Sequence, residues 1–191
     1  RKLMIGYRSR FEPHNLDAIA LARGGALGPV ATIVADHGWT ASDPNMWRVK
    51  KALSGGGSLM DIGIYSLNAA RYLSGEEPVE VTAMEYTDRS DPRFKTVEDR
   101  IDWQFRFPSG LIADCVSSYS SNHNHYRVTG REGWVELEPA TNYALVRGRR
   151  VKSAHDVSGG GLAVALAECA FRGRAGEEIG ATVDLGDAGP K

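Results

Sequence analysis

The sequence predicts an α+β domain, an open and mainly antiparallel sheet with helices packed on one face. Three observations point there. Residues 97–107 alternate, with Ile101, Trp103, Phe105 and Phe107 on one side and Arg100, Asp102, Gln104 and Arg106 on the other. Such a strand suits a sheet covered on one face and open on the other. Pro108-Ser109-Gly110 then turns the chain into 111–118, and 130–133 joins 126–129 to 134–138, so strands come in hairpins. Helical spacing after Pro13 and after Ser58 supplies the cover.

The elements follow in order. Residues 3–8 read as a short apolar strand. Pro13 suits a helix N-terminus, with Leu16, Ile19, Ala20 and Arg23 at helical spacing, and Gly24-Gly25 stops that helix. Residues 29–38 form a strand. Residues 58–73 form the second helix, closed by Gly75. Val79, Val81 and Ala83 alternate with polar residues, which makes 79–87 a strand before the hairpins.

Composition bounds the function. A chain of 191 residues can bury most of its apolar surface. A formal net charge of −1 gives no electrostatic reason to expect nucleic acid or an anionic membrane. No apolar run reaches the roughly 18 residues of a membrane helix, and no signal peptide is evident. Cys115 and Cys169 make no disulfide framework. A cytoplasmic location is expected, with the periplasm as the alternative if a signal preceded the chain. No C-x-x-C or H-x-x-x-H occurs, so no metal site is expected.

The richest stretch runs from Gly55 to Tyr65, GGGSLMDIGIY. Three glycines free the backbone for a sharp turn or a close approach. Ser58 and Asp61 have the spacing of a capping box. Asp61 and Tyr65, four apart, share one helix face. They form either an acid/base pair beside a glycine loop or a capping residue and a packing residue. Trp47-Arg48 offers a flat cationic wall for a sugar or cofactor. Arg8 ends a strand and is a candidate substrate or interface contact. His37 reads as a loop histidine at a strand end, Asn122-His123-Asn124-His125 as a solvated loop, and Val97-Glu98-Asp99-Arg100 as a strand-entry salt bridge.

Several segments together resemble the C-terminal domain of the glucose-fructose oxidoreductase, inositol dehydrogenase and MocA (GFO/IDH/MocA) oxidoreductases. They are Ile5-Gly6-Tyr7-Arg8, Trp47-Arg48, Gly55 to Tyr65, Arg71-Tyr72-Leu73, Gly75-Glu76-Glu77-Pro78, Val97-Glu98-Asp99-Arg100, Ser117-Ser118-Tyr119-Ser120 and Pro139-Ala140-Thr141, in the family's order. The resemblance spans residues 4–143 and is strongest to glucose-fructose oxidoreductase. It implies a sugar substrate, NADP as cofactor, Tyr65 as acid/base with Asp61 orienting it or the substrate, and association through the open sheet face as a homodimer or larger homo-oligomer. The family's active enzyme begins with a Rossmann domain. No G-x-G-x-x-G after a strand occurs in this chain, and the family's catalytic Glu-Lys-Pro segment would lie before residue 1. The expectation is a C-terminal half that is inactive, and binds no NADP tightly, by itself.

The tail reads differently. Residues 153–168 and 180–185 resemble a segment of phosphoribosylformylglycinamidine synthase, one of the ATP-dependent purine-pathway synthases, with Gly159 where that family has an acidic residue. Ser158, Gly159, Gly160 and Gly161 before a helical run are a possible anion site; a capped helix packing on the core is the plain alternative. Two domains are expected, 1–147 and 148–191. The alternative to an oxidoreductase half is a recombined or designed chimeric scaffold without catalysis.

Overall fold

The computed structural model describes residue 7, residues 9–141 and the backbone of Arg150–His155. Its core is a seven-stranded sheet: β1 (Val30–Gly38), β2 (Glu80–Tyr86), β3 (Arg100–Arg106), β4 (Ile112–Ser118), β5 (His123–Gly130), β6 (Gly133–Glu138) and β7 (Arg150–His155). The order is β2-β3-β4-β1-β5-β6-β7. Only β1 and β4 run parallel; every other neighbouring pair is antiparallel. This is the expected α+β arrangement, and no doubly wound parallel sheet occurs among the described residues. The expected strand over 3–8 lies outside them, apart from Tyr7. β7 pairs with β6, so the sheet continues past residue 147.

Two helices, α1 (Pro13–Arg23) and α3 (Ile64–Ser74), lie on one face of the sheet, and a single turn, α2 (Lys51–Ser54), precedes α3. Ile33, Ala35, Trp103, Phe105, Ala113, Cys115, Tyr126, Val128, Val135 and Leu137 all point under them and are buried. The alternation that predicts β3 is therefore real, although the strand starts at Arg100 rather than Val97. On the open face Arg100 pairs with Asp102 and Arg106 with Glu80 as salt bridges, and the Gln104 amide donates to Asp114. β2 forms an edge, and every residue in it is exposed.

Three expectations need correction. The buried side of α1 is Asn15, Ala18 and Ala22, while Leu16 is 44% exposed. Asn15 is inside because its amide is fully used. Its Oδ1 accepts from the Tyr72 and Tyr126 hydroxyls, and its Nδ2 donates to the Ala140 carbonyl and to Glu12. The 122–125 loop is instead the start of β5, where His125 lies between Asp36 and Glu136 at 3.7 and 3.8 Å. His37 is not a loop histidine. It follows Ile33 and Ala35 on the inner face of β1 and is 1% exposed.

Candidate active site

The site is built on the start of the second helix. Lys51–Ser54 ends at Gly55, whose φ of 81° is the left-handed conformation that glycine adopts freely. Gly57 is glycine for another reason. A Cβ there would sit 2.1 Å from the Glu98 carbonyl oxygen, so only glycine lets the two segments touch. The Glu98 carboxylate accepts the N–H groups of Gly57 at 2.8 Å and Leu59 at 3.1 Å. A carboxylate from a distant segment thus caps the helix and complements its dipole.

This overturns the capping box. Ser58 makes no cap; its hydroxyl meets that of Ser117 at 3.1 Å, in the core. Among the described residues Glu98 forms no salt bridge, and Asp99 accepts from the Tyr119 N–H and the Ser120 hydroxyl. The helix also opens unexpectedly. Leu59–Gly63 is a π-helical turn before the α-helix begins at Ile64. Such turns recur at functional sites, because the extra residue redirects the side chains that follow.

Asp61 lies in that π turn. Its carboxylate accepts from the Tyr119 hydroxyl at 3.0 Å, from Arg48 Nε at 3.2 Å and from Trp39 Nε1 at 3.3 Å. Trp39 meets Tyr119 edge-on at 5.4 Å. Burial, and then Asp61, holds the Tyr119 phenol well above its ordinary value, so it remains a proton donor. Arg48 also stacks 4.7 Å over Trp47, which is half exposed. Trp47 and Arg48, expected to contact a sugar or cofactor, thus stack on each other and are tied to Asp61.

Tyr65 lies at the start of α3. Its ring stacks on His37, with centroids 5.7 Å apart and planes 29° apart. Tyr65 also lines a small cleft with Tyr7, Ser9, Arg10, Asn68 and Tyr72. Asp61 and Tyr65 thus belong to one helical segment with distinct surroundings. One is held in an indole, guanidinium and phenol cluster, and the other faces a cleft from an imidazole. Arg8, Ser158, Gly159, Gly160 and Gly161 lie outside the described residues.

Trp39, Tyr119 and Ser66 carry no site role in the sequence pattern, and Glu98 and His37 lie in surroundings other than those expected. His37 alone had a usable signal, its place in the alternation Ile33, Ala35, His37.

A dinucleotide does not fit the described residues. The glycine run follows a helical turn rather than a strand, and Glu98 already occupies the N–H groups of Gly57 and Leu59 that a pyrophosphate would need. Among the described residues, no group of three or more His, Cys, Asp or Glu is arranged to hold a metal ion. None of the described helices is long and apolar enough to cross a membrane.

Comparison with known proteins gives two family matches. The model of the GFO/IDH/MocA C-terminal domain matches residues 16–136. The model of the AIR synthase related protein C-terminal domain matches residues 111–189. The matches overlap over 111–136, where β4, β5 and the start of β6 belong to the sheet just described. A curated relative, D-xylose 1-dehydrogenase [NADP(+)] of Haloarcula marismortui, is 35% identical over 147 residues, 72% of this chain and 39% of the relative. Inositol 2-dehydrogenase of Rhizobium meliloti is 37% identical over 82 residues, 43% of this chain and 24% of that protein. Among solved structures, aldose-aldose oxidoreductase from Caulobacter crescentus, complexed with glycerol, is 64% identical with a TM-score of 0.77. That match covers 81% of this chain and 45% of that one. The chain therefore spans less than half the length of these relatives.

Proposed function

Because the chain belongs to the GFO/IDH/MocA family, we propose that it is the substrate-side half of an NADP-dependent sugar oxidoreductase. Tyr65 is its acid/base. The observation that carries this reading is the placement of Tyr65: its ring rests on His37 and lines the cleft shared with Tyr7, Ser9, Arg10, Asn68 and Tyr72. A phenol there can pass a proton to or from a sugar oxygen held in the cleft. Asp61 has a different part. With three donors on its two oxygens it anchors the helix start and fixes Arg48 beside Trp47. The cofactor belongs to a dinucleotide-binding half of the kind the family resemblance implies. On this reading, the chain binds no NADP tightly by itself.

The relatives support a sugar substrate. One is a D-xylose 1-dehydrogenase and another an aldose-aldose oxidoreductase. The test joins this chain to an NADP-binding domain from such a relative and follows turnover of aldoses. Tyr65→Phe is expected to lower the rate about a hundredfold or more, the usual scale of acid/base catalysis. A phenylalanine variant with near-full turnover would show that Tyr65 only packs.

The open face of the sheet, with its salt bridges and the exposed Met84 and Tyr86, suits a two-fold contact between copies. Light scattering that gives a monomer mass at every concentration would reject it. The synthase-like match over 111–189 favours a second reading, a chimeric scaffold without catalysis. Failure of the joined protein to turn over any aldose, despite native-like folding, would favour that one.

A further inference from the structure

We infer that His37 is a positioning residue for Tyr65, held by Ser66 so that a neutral imidazole face fixes the direction of the phenol. The inference rests on the reading of Tyr65 as the acid/base. It starts from proton accounting at Ser66, the next residue along the helix. The Ser66 hydroxyl lies 3.0 Å from the Val116 carbonyl oxygen and 2.8 Å from His37 Nδ1. A hydroxyl has one proton, and a carbonyl can only accept. If Ser66 donated to His37, two oxygens would face each other in the core with no proton between them. Ser66 therefore donates to Val116 and accepts from His37 Nδ1–H.

That assignment fixes the tautomer and leaves Nε2 as a bare acceptor. Nε2 is buried and has no hydrogen-bond partner among the described residues. A second proton there would put a cation in the core unpaired. Burial lowers the imidazole's proton affinity to a pKa of about 3, with Asp36 acting against this and His125 with it. Asp36 lies next to His37 on β1, and His125 faces Asp36 from β5. The ring is therefore uncharged over the whole physiological range.

An uncharged ring does one thing for Tyr65. Stacked rings hold each other's planes, and His37 is itself pinned at Nδ1, so the phenol is oriented without being pulled toward phenolate by a neighbouring positive charge. The sequence places the two halves of the device side by side, because Tyr65 is the group held and Ser66 is the lock.

The experiment uses the full chain and needs no turnover. Long-range proton–nitrogen correlation on histidine-labelled protein reads the tautomer, and carbon-labelled tyrosine reads Tyr65. The expected wild-type result is a proton on His37 Nδ1, no titration between pH 8 and 5, and Tyr65 ring signals shifted by the imidazole face. His37→Ala should lose that shift and average the ring over rotamers, and His37→Phe should restore one fixed environment. Ser66→Ala should release the tautomer. An Nε2–H tautomer in the wild type, titration of His37 in that range, or Tyr65 signals unchanged in His37→Ala would overturn the proposal. If His37→Ala does not fold, Ser66→Ala decides, and an unaltered tautomer there overturns the lock. Tyr65→Phe keeps the stacked ring. A fully active Tyr65→Phe enzyme, alongside the expected spectra in the wild type, would therefore refute the catalytic reading alone.

Discussion

Two buried polar nodes fasten α3 to the sheet, and they are finished differently. At one, Asn15 spends its whole amide: two tyrosine hydroxyls on its oxygen, a carbonyl and a carboxylate on its nitrogen. At the other, His37 spends one nitrogen on Ser66 and leaves the second bare. Buried polar groups are nearly always paired, so the complete node needs no explanation beyond the fold. The incomplete one lies under the residue that faces the cleft. The first node is saturated, whereas the second has an open atom, as Ser9 Oγ and Trp103 Nε1 are elsewhere among the described residues, and differs from them in lying against Tyr65.

Substitutions at the nodes sharpen the contrast. The largest effect is expected for Asn15→Leu, which removes the acceptor shared by Tyr72 and Tyr126. The loss should be about 3 kcal/mol in urea unfolding, because buried polar groups lose their partner together. Glu98→Ala should cost about 2 kcal/mol, the scale of a charge-assisted cap. Amide exchange at Gly57 and Leu59 should rise with it. Unchanged protection there would mean that the carboxylate is not the cap.

His37→Phe should cost less than about 1 kcal/mol at neutral pH, since one modest hydrogen bond goes and the ring volume stays. A loss as large as that of Asn15→Leu would erase the distinction between the nodes. Acid then separates them further. Unfolded histidine takes up a proton near pH 6.5, whereas folded His37 resists until about 3. The unfolded state binds more protons in that window, so His37 lowers stability as the pH falls from about 6.5 toward 3. His37→Phe should therefore unfold at a lower pH than wild type.

The smallest effect belongs to His125. The Asp36 carboxylate, 3.7 Å away, raises its proton affinity when folded. The stabilisation is complete below about 6.5 and is lost as the pH rises through the raised value. At a partly exposed site the change is small, and His125→Gln should remove that slope from a thermal-stability profile. A profile of the same slope in the variant would assign the effect elsewhere.

Much of the fold was legible because it is local. Period-two alternation in 100–106 and the Pro108-Ser109-Gly110 turn each fit within a few residues, and β3 and β4 follow. The site was legible only along its helix. Asp61 and Tyr65 could be read from spacing and resemblance, but the groups that define their surroundings arrive from far away. Tyr119 is 58 positions from Asp61, Glu98 is 41 from Gly57, and His37 is 29 from Ser66. No spacing rule connects such residues; sheet register does. The capping box failed for the same reason, because a distant carboxylate outcompeted the local hydroxyl.

The parallel pairing at the centre of the sheet has a consequence in time. β1 is the first strand in the described chain, yet both strands that flank it, β4 and β5, are encoded after residue 111. During synthesis Ile33, Ala35 and His37 must wait, unpaired, while the β2–β3 edge can already zip as a hairpin. Closing so long a loop before any reward is slow, so the imidazole platform and the hydrogen bond from Tyr119 to Asp61 are expected to form after that hairpin. A nascent or truncated chain would hold an edge ribbon long before it held a site.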